Sequence, residues 1–493
     1  MRRLIHTALF AMLTLAVSAQ NFNPIVPDNI ADPSISKFGD TYYLYATSDI
    51  NRGLSQAGTP VVWKSKDFVN WSFEGSLMSG IDWAKGYPYT DKSGNEKVGY
   101  FRYWAPGKVI KKDGKYFLYA TIVSPDETCP TYVFVADKPE GPFRVTNGDG
   151  IFAKGTEGDK VQTTPILSDI DGEPFVDEDG SATIFWRRRK AGRLSADYLT
   201  LEGPERTLST KRTPYSEGPV MFKRKGIYYY VYTLSGSENY VNAYMMSKEG
   251  PLSGFEAPEG NDIFIYSSIP NNVWGPGHGN VFYDEKSDSY SFVYLEYGEG
   301  GTTRQVFANK MEFNSDGTIK TILPDWKGVG YLGKNRQKKT NMATTAVVKV
   351  SSATENKDKT VSIETQPNDP LPDKGSLQEV KRTYSYVGKN AVDNSNGTRW
   401  MAAPGDDKPW IMLDFKKKIK VSECDFFFTQ PTLGHTWVLE KSLDGVKWTI
   451  CDQEEKVAVR SPHIAKGIGH ARYLRLKITR GVPGLWEWKV YGK

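Results

Sequence analysis

A repeated unit in the first two thirds of the 493-residue chain is the feature that most constrains its fold. Each unit has a short strand-like run, a polar turn, a second run rich in Tyr or Phe, and a further strand-like run. The second runs begin at Gly39 (GDTYYLYAT), Asp113 (DGKYFLYAT), Asp179 (DGSATIFW), Arg224 (RKGIYYYVYT) and Lys286 (KSDSYSFVYLEY). Short alternating runs with little helical periodicity predict an all-β chain. Units repeated about every 45 to 75 residues predict a five-bladed β-propeller around a central channel.

Ionisable residues stand eight positions before four of the five turns. The equivalent positions are occupied by Asp32, Ala105 beside Trp104, Asp171, Glu217 and His278. Because the first strand of each propeller blade lines the channel, equal offsets place these side chains at a similar height around one axis. Each residue alone is also typical of a turn or a cap. Carboxylates crowded together raise one another's proton affinity, so the set indicates a catalytic site.

The chemistry that suits this ring is glycoside hydrolysis. That reaction uses one carboxylic acid to protonate the leaving oxygen and one carboxylate as base or nucleophile. A third carboxylate near the acid raises its pKa and orients it. Asp32, Asp171 and Glu217 fit this division, and the sequence leaves the choice between inversion and retention open.

The motifs ADPSI, WAP, IDGEPFVDEDG, SEGPVMFKRKGIYYYVY and GPGHGNVF resemble glycoside hydrolase family 43. This is a five-bladed propeller family of arabinofuranosidases and xylosidases, and the resemblance covers roughly residues 22–325. It implies Asp32 as the general base that activates water, Glu217 as the general acid, and Asp171 as the residue that tunes the pKa of the acid. It also implies inversion of the anomeric configuration, with no covalent glycosyl intermediate.

The resemblance also implies roles for residues around the ring. His278 is similar to a channel histidine that faces a bound calcium ion or a water cluster, and its alternative role is that of a core histidine. Arg304 is similar to a substrate-facing arginine, and its alternative is a salt bridge that closes the last blade. Trp104, Trp186 and Trp274 are candidates for stacking on a sugar, although aromatic residues are also ordinary blade packing. Trp104 is the first choice among them.

Two positions depart from the family's pattern. Gly107 stands where Asp commonly follows the tryptophan motif, so a polar contact is expected to be missing there. Gly172 and Glu173 follow Asp171, and the downstream FVDEDG keeps the carboxylate in register. Neither departure removes a catalytic group.

The tail beyond the propeller shows a second all-β pattern without the repeat. We expect the propeller over 21–330, a linker over 331–340 and a second domain over 341–493. The stretches AVDNSNGTRWMA, PWIMLDF, LEKSLDGVKWTIC, HARYLRLKI and GLWEWKVYG resemble the discoidin, or factor 5/8 type C, family. The resemblance implies a β-sandwich of the discoidin-like jelly-roll type, which is either a carbohydrate-binding module or a structural neighbour of the propeller.

Several residues of this second domain are candidates for specific roles. Asp393 and Asn396 are candidate Ca²⁺ ligands, with an Asx turn as the alternative. His435 and Trp437 are candidates for loop contacts with sugar. Four tryptophans are expected to be core packing: Trp400, Trp410, Trp448 and Trp488.

The ends and the composition of the chain indicate an exported protein. Residues 1–20 have a basic start, a short apolar stretch and small residues before a cut, which is typical of a secretory signal peptide. Loss of Arg2 and Arg3 lowers the formal net charge from +5 to +3, which is too small a surplus to favour nucleic acid or an anionic membrane as partner. No later apolar run reaches the roughly 20 residues of a membrane span. Cys424 and Cys451 either pair or remain buried free thiols.

The predicted function is an exo-acting inverting glycoside hydrolase that removes terminal α-L-arabinofuranosyl residues from plant polysaccharide. The long loop over 82–104 is expected to wall the site and to favour a pocket that admits terminal sugars. A β-D-xylosidase or exo-β-galactosidase with the same ring is the nearest alternative, and a noncatalytic carbohydrate-binding protein is an alternative of another class. We expect a periplasmic or extracellular monomer that requires no cofactor, with Ca²⁺ possible in the channel or in the second domain.

Overall fold

The computed structural model describes residues 21–49, 58–146, 164–213, 215–260, 262–333, 339–365 and 377–493. The predicted signal peptide lies outside these residues. The described chain forms five small antiparallel sheets, which are the five blades, followed by a larger sheet. The predicted all-β fold is therefore confirmed. None of the helices in the described residues is long and apolar enough to cross a membrane.

The first two blades are joined by a small hairpin. Blade one contains β1 (Ile30–Phe38), β2 (Thr41–Ser48), β3 (Val62–Ser65) and β4 (Trp71–Glu74). The hairpin contains β5 (Tyr87–Thr90) and β6 (Glu96–Gly99). Blade two contains β7 (Arg102–Pro106), β8 (Ile110–Lys112), β9 (Lys115–Val123), β10 (Thr131–Ala136) and β11 (Arg144–Val145). Each polar turn of the repeat joins two neighbouring strands of its blade, β8 and β9 in blade two and the first two strands in the other blades.

The remaining blades repeat this order. Blade three contains β12 (Glu173–Val176), β13 (Ala182–Trp186), β14 (Lys190–Leu194) and β15 (Leu201–Thr207). Blade four contains β16 (Val220–Arg224), β17 (Ile227–Thr233), β18 (Asn242–Ser247) and β19 (Ile263–Ile265), with a short 3₁₀ helix at Ser237–Asn239. Blade five contains β20 (Gly277–Asp284), β21 (Ser289–Glu296) and β22 (Gln305–Met311).

The N-terminal segment closes the ring against blade five. The Ile25 N–H donates to the Val306 carbonyl at 2.9 Å. The Asn23 side chain is 1% exposed, donates to the carbonyls of Ala308 and Asp325, and accepts from the Ala308 N–H at 2.8 Å. The first and last parts of the propeller are thus joined by buried hydrogen bonds.

Aromatic second strands supply the core between the blades. Tyr45 of β2 packs in one cluster with Leu118 of β9 and Phe134 of β10, and all three side chains are at most 1% exposed. Burial of a large apolar side chain stabilises a fold by about 1.5 to 3 kcal/mol. Neighbouring blades therefore hold each other, and the channel positions of their first strands are fixed.

The second domain is built on one strongly curved sheet. Its strands are β23 (Val347–Val350), β26 (Trp400–Met401), β27 (Trp410–Phe428), β28 (His435–Ser442), β29 (Thr449–Ala458), β31 (His463–Arg480) and β32 (Gly484–Gly492). The order of pairing is β26, β32, β27, β31, β28 and β29, with β23 also on β27. Three further 3₁₀ helices lie at Met342–Thr345, Gly388–Val392 and Pro431–Leu433.

Two elements of this domain leave its sheet and meet the propeller. Strands β24 (Lys357–Glu364) and β25 (Leu377–Tyr384) form a separate hairpin beside blades four and five. Strand β30 (Arg460–Ser461) pairs with β4 and extends blade one. The repeat pattern gave no indication of either contact.

The core of the second domain corrects one prediction and confirms others. Trp400 and Trp488 are fully buried, as expected for packing residues, and Trp410 and Trp448 are half-buried. His435 and Trp437 are 0% and 3% exposed, so the prediction that they contact sugar is wrong. His435 stacks on Phe428 with the ring centroids 4.5 Å apart.

All three cysteines lie within the described residues and are free. The alternative of unpaired thiols at Cys424 and Cys451 is therefore the correct one. Cys424 is fully buried in the core of the second domain.

Candidate active site

Local bulges at the start of the first strands point the ring residues into the channel. Asp32, Ala105 and Asp171 occupy the equivalent positions of three blades and have left-handed φ angles of 50°, 68° and 69°. The pairing register shifts at the first two of these positions. A bulge re-aims the side chain that it carries and is common next to active sites. Non-glycine residues in this conformation are strained, and such strain concentrates at functional positions.

Asp32 is buried among donors and basic side chains. Its side chain is 3% exposed, and its Oδ2 accepts a hydrogen bond from Thr47 Oγ1 at 2.7 Å. His278 Nδ1 lies 3.3 Å from Asp32 Oδ1, and Arg304 Nη1 lies 3.5 Å from the same oxygen. These partners hold the carboxylate in one position, and a general base must lie within reach of the proton that it accepts.

Arg304 is held by an ion pair. Its Nε and Nη2 each donate to one oxygen of Asp49 at 2.9 Å, and its side chain is 7% exposed. Asp49 follows β2 of blade one, whereas Arg304 precedes β22 of blade five. The alternative of a salt bridge that closes the last blade is therefore observed, and a substrate contact of Arg304 stays a prediction.

Asp171 carries a proton more readily than an ordinary aspartate. Burial raises the pKa of Asp171 to about 7, and the negative charges of Glu217 and Asp32 add to this rise. The charge of His278 and a hydrogen bond from the Gly218 N–H at 3.1 Å oppose it. Asp171 and Glu217 are thus electrostatically coupled, as the tuning of an acid by a neighbouring carboxylate requires.

Glu217 is the most accessible of the three carboxylates and is bonded by tyrosines. Tyr240 Oη donates to Glu217 Oε1 at 2.7 Å, and the Tyr215 hydroxyl is also a hydrogen-bond partner. Burial raises the pKa of Tyr240, and the Glu217 charge adds to the rise, so the phenol stays a donor. The half-buried position of Glu217 leaves its carboxyl group available to a leaving group.

His278 lies among the carboxylates. A Cβ placed on Gly218 would lie 2.8 Å from the imidazole Cγ, so the ring is packed directly against the residue that follows Glu217. Burial alone would lower the pKa of His278, but the charges of nearby carboxylates, led by Asp171 and Asp32, outweigh it and raise the pKa. A protonated imidazole here offsets part of the negative charge of the ring.

The described residues do not offer direct metal ligation at this ring. No group of three or more His, Cys, Asp or Glu side chains within them has an arrangement that could hold a metal ion. His278 Nδ1 lies 3.3 Å from Asp32 Oδ1. A calcium ion here stays a prediction, and the reaction below has no step through it.

Buried threonines connect the ring and were missed in the sequence. Thr47 Oγ1 accepts from the Ala105 N–H at 3.2 Å in addition to its bond with Asp32. Thr121 Oγ1 accepts from the Asp171 N–H at 3.1 Å, and Thr233 Oγ1 bonds both the N–H and the carbonyl of Glu217. The signal was present, because these threonines end the runs YLYAT, FLYAT and YYVYT at equivalent positions.

The two departures from the family's pattern compensate each other. A Cβ on Gly107 would lie 2.1 Å from the Gly172 carbonyl oxygen, so no side chain fits where Asp was expected. The buried Glu173 carboxylate accepts instead from the Lys108 N–H at 2.7 Å and from Asn280 Nδ2 at 2.8 Å. Burial raises the pKa of Glu173 to about 7. The prediction of a missing polar contact at Gly107 is therefore corrected. Glu173 of the neighbouring blade provides a polar contact there.

The three candidate tryptophans have different surroundings. Trp186 is 4% exposed within the core of blade three, and Trp274 is fully buried under the hairpin of the second domain. Neither indole can present a face to a sugar, so the stacking prediction is wrong for both. Trp104 is half-buried beside Ala105, with the Arg102 guanidinium 5.3 Å from its ring centroid. Its stacking role stays a prediction.

The surroundings of Asp393 and Asn396 match the alternative of an Asx turn. Asp393 accepts from the Ser395 N–H and from Thr398 Oγ1. Asn396 Nδ2 donates to the Pro24 carbonyl at 2.9 Å, so this side chain joins the two domains. Calcium at these two residues stays a prediction.

The arrangement can perform acid and base chemistry on a neutral substrate. The ring combines a carboxylate beside two basic side chains, an accessible carboxyl group and a third carboxyl group whose pKa is raised. The hairpin of β5 and β6 stands before Trp104, and Arg102 bonds Glu127 from the next loop at 2.5 Å. The loop expected to wall the site is thus an ordered hairpin.

Comparisons with known proteins agree with this chemistry. The family model "Glycosyl hydrolases family 43" matches residues 22–319, and the model "F5/8 type C domain" matches residues 374–489. A solved structure described as a glycoside hydrolase is 40% identical, has a TM-score of 0.81, and covers 96% of this chain and 99% of that chain.

Curated relatives are more distant and differ in their sugars. A beta-D-galactofuranosidase of Aspergillus niger is 24% identical over 62% of this chain and 86% of its own length. An arabinoxylan arabinofuranohydrolase of Bacillus subtilis is 23% identical over 64% of this chain and 67% of its own length. A beta-xylosidase of Xylanibacter ruminicola is 24% identical over 60% of this chain and 97% of its own length.

Proposed function

The chain belongs to glycosyl hydrolases family 43, and from this premise we propose that it is an inverting exo-glycosidase that releases terminal α-L-arabinofuranosyl residues from plant polysaccharide. The observation that carries the proposal is the convergence of Asp32, Asp171 and Glu217 around His278 at one end of the channel. A noncatalytic binding protein has no need for three carboxylates in such different electrostatic surroundings.

In the proposed reaction, Asp32 accepts a proton from a water molecule that attacks the anomeric carbon. Thr47, His278 and Arg304 hold this carboxylate in place. Glu217 gives its proton to the glycosidic oxygen as the bond to the leaving group breaks. The two steps occur on opposite faces of the sugar, so the configuration is inverted without a covalent intermediate.

Asp171 is the carboxyl group beside the acid in this proposal. Its Oδ2 accepts a hydrogen bond at 3.1 Å from the N–H of Gly218, the residue that follows Glu217. The Glu217 charge is one cause of the raised pKa of Asp171, so the two groups interact at close range. The tyrosines at Glu217 hold the carboxyl group in one orientation.

The choice of a furanosyl sugar draws on two relatives. An α-L-arabinofuranoside and a β-D-galactofuranoside share the ring size and the arrangement of ring hydroxyls, and one relative of this chain is named for each of these sugars. A β-D-galactofuranosidase is therefore the second candidate, and a β-D-xylosidase is the third. We also propose that the protein is exported to the periplasm or the medium and acts as a monomer.

The substrate is tested with aryl glycosides of α-L-arabinofuranose, β-D-galactofuranose and β-D-xylopyranose. We expect the highest kcat/KM on the arabinofuranoside and a product whose first-formed anomer, observed by NMR, is inverted. A higher rate on another sugar would replace the proposed substrate. A retained anomer would contradict the assignment of Asp32 as a base.

The acid assignment is tested by Glu217→Gln. We expect the rate on a substrate with a poor leaving group to fall by at least about 100-fold, because general acid catalysis is worth about 10² to 10⁴. An activated aryl glycoside needs less protonation and should lose much less rate. Asp32→Asn should inactivate the enzyme on both substrates, and exposed Glu202→Gln is the control. Wild-type rates in Glu217→Gln would show that the acid is another residue.

A further inference from the structure

The hairpin of β24 and β25 reaches from the second domain to the segments that carry two ring residues. Its Arg382 side chain is 8% exposed and lies against blade five. Arg382 Nη1 donates to Glu296 Oε1 at 3.0 Å, and its Nη2 donates to the Asn272 carbonyl. The guanidinium also stacks over the Trp274 indole, 4.2 Å from the ring centroid. One arginine of the second domain thus neutralises a buried glutamate and covers a buried tryptophan.

From this contact, a short path leads to His278. Glu296 Oε1 also accepts from the Trp274 N–H at 3.1 Å, and the Trp274 carbonyl accepts from the Tyr297 N–H at 2.9 Å. Trp274 begins the segment WGPGH, which ends at His278. A Cβ on Gly277 would lie 2.4 Å from the Tyr240 ring, so this segment packs directly against the tyrosine that bonds Glu217.

A second contact of the hairpin leads to Glu217. Asn239 Nδ2 donates to the Ser362 carbonyl at 2.9 Å, and its Oδ1 accepts from the Glu364 N–H at 3.1 Å. Asn239 immediately precedes Tyr240, whose hydroxyl bonds Glu217. Both polar groups of one side chain are therefore used to dock the hairpin beside this tyrosine.

We propose that the hairpin of the second domain is a working part of the catalytic site and that Arg382 is a positioning residue for His278. This inference rests on the proposed function for the roles of His278 and Glu217. The domain then contributes to turnover through its fixed contacts, whether or not its other loops bind sugar. Arg382 touches neither substrate nor the reacting atoms.

The test compares Arg382→Met with Arg399→Met in the full chain. Arg399 is a matched control, because it also comes from the second domain, bonds Glu299 of blade five at 2.8 Å and stacks on Trp486. Its side chain is 9% exposed, against 8% for Arg382. The side-chain contacts of Arg399 within the described residues are with Glu299, Tyr386 and Trp486, which lie outside the segment from Trp274 to His278. Arg382→Lys retains the positive charge and tests whether this charge restores kcat.

The expected result is a split between kcat and KM. Arg382→Met should lower kcat by about 100-fold, since a displacement of about 1 Å far from the chemistry can cost this much. KM should change by less than about threefold, because substrate contacts stay. Arg382→Lys should recover part of kcat, and Arg399→Met should keep kcat within about twofold of wild type despite a similar loss of Tm.

Hydrogen exchange of residues 272–278, measured by mass spectrometry, separates this inference from the proposed function. Exchange should be faster in Arg382→Met and unchanged in Arg399→Met. If the wild type hydrolyses no sugar, the proposed function fails, yet faster exchange confined to Arg382→Met still supports the positioning role. Equal exchange in the two variants, or equal losses of kcat, would overturn it. If Arg382→Met does not fold, the test uses Arg382→Lys instead. Arg382→Lys with both the kcat and the exchange rate of the wild type would then overturn the inference.

Discussion

Asp171 and Asp32 occupy equivalent positions of two blades, yet their surroundings differ. Asp32 lies beside Arg304 and His278. Asp171 is 5% exposed, and burial raises its pKa to about 7. The same residue type thus stands beside two basic side chains in one blade and in a buried site with a raised pKa in another.

This difference predicts how Asp171→Asn changes stability with pH. The folded-state pKa of about 7 exceeds the ordinary 3.8, so the folded protein binds more protons than the unfolded chain between these values. Wild-type stability is therefore lost as pH rises through this window. Relative to wild type, Asp171→Asn should gain up to about 4 kcal/mol at pH 8 compared with pH 4. Urea unfolding at both pH values checks this, with exposed Glu202→Gln as control. An equal effect of Asp171→Asn at the two pH values would contradict it.

At the scale of the element, the ring depends on the close approach of β7 and the segment before β12. Gly107 touches the Gly172 carbonyl, and Gly172 follows Asp171 directly. The Gly107 N–H donates to the Tyr119 carbonyl at 2.7 Å, which fixes this residue in its own blade. The position of one catalytic carboxylate is thus set by the absence of a side chain in the neighbouring blade.

Gly107→Ala should therefore destabilise the protein and reduce its activity. The added methyl group collides with backbone, which cannot rotate away, and overpacking of this kind costs about 1 to 3 kcal/mol. Displacement of Asp171 should also lower kcat. Gly250→Ala is the control, because a Cβ there meets no atom within 4 Å. Thermal unfolding and initial rates are measured for both variants, and equal Tm values would show that β7 can move without cost.

At the scale of the whole molecule, the propeller is a ring whose ends must be held together. The Asn23 side chain makes this closure with blade five, and Arg304 with Asp49 joins blades five and one near the site. The second domain adds β30 to blade one and its hairpin to blades four and five. The two domains are therefore fixed to each other on more than one side.

Asn23→Ala should weaken the closure of the ring. It removes three hydrogen bonds, two of them buried, and loss of a buried partner costs about 1 to 3 kcal/mol for each group left unsatisfied. We expect a marked fall in Tm, together with a loss of activity. Asn95→Ala, in the exposed turn of β5 and β6, is the control. A fall in Tm no larger than that of Asn95→Ala would mean that the N-terminal segment does not close the propeller.

The sequence by itself determined the blades and the ring, because both depend on local order. A blade is a set of neighbouring strands joined by short turns, so its runs and turns are readable along the chain, and equal offsets from those turns located Asp32, Asp171, Glu217 and His278. The tertiary structure alone decided the burial of Trp186 and Trp274, the ion pair of Arg304 and the docking of Arg382. Arg304 and its partner Asp49 are 255 residues apart, and Arg382 and Glu296 are 86 apart. Contacts across such separations leave no periodic pattern in the sequence, since they arise only when the folded blades and the second domain meet.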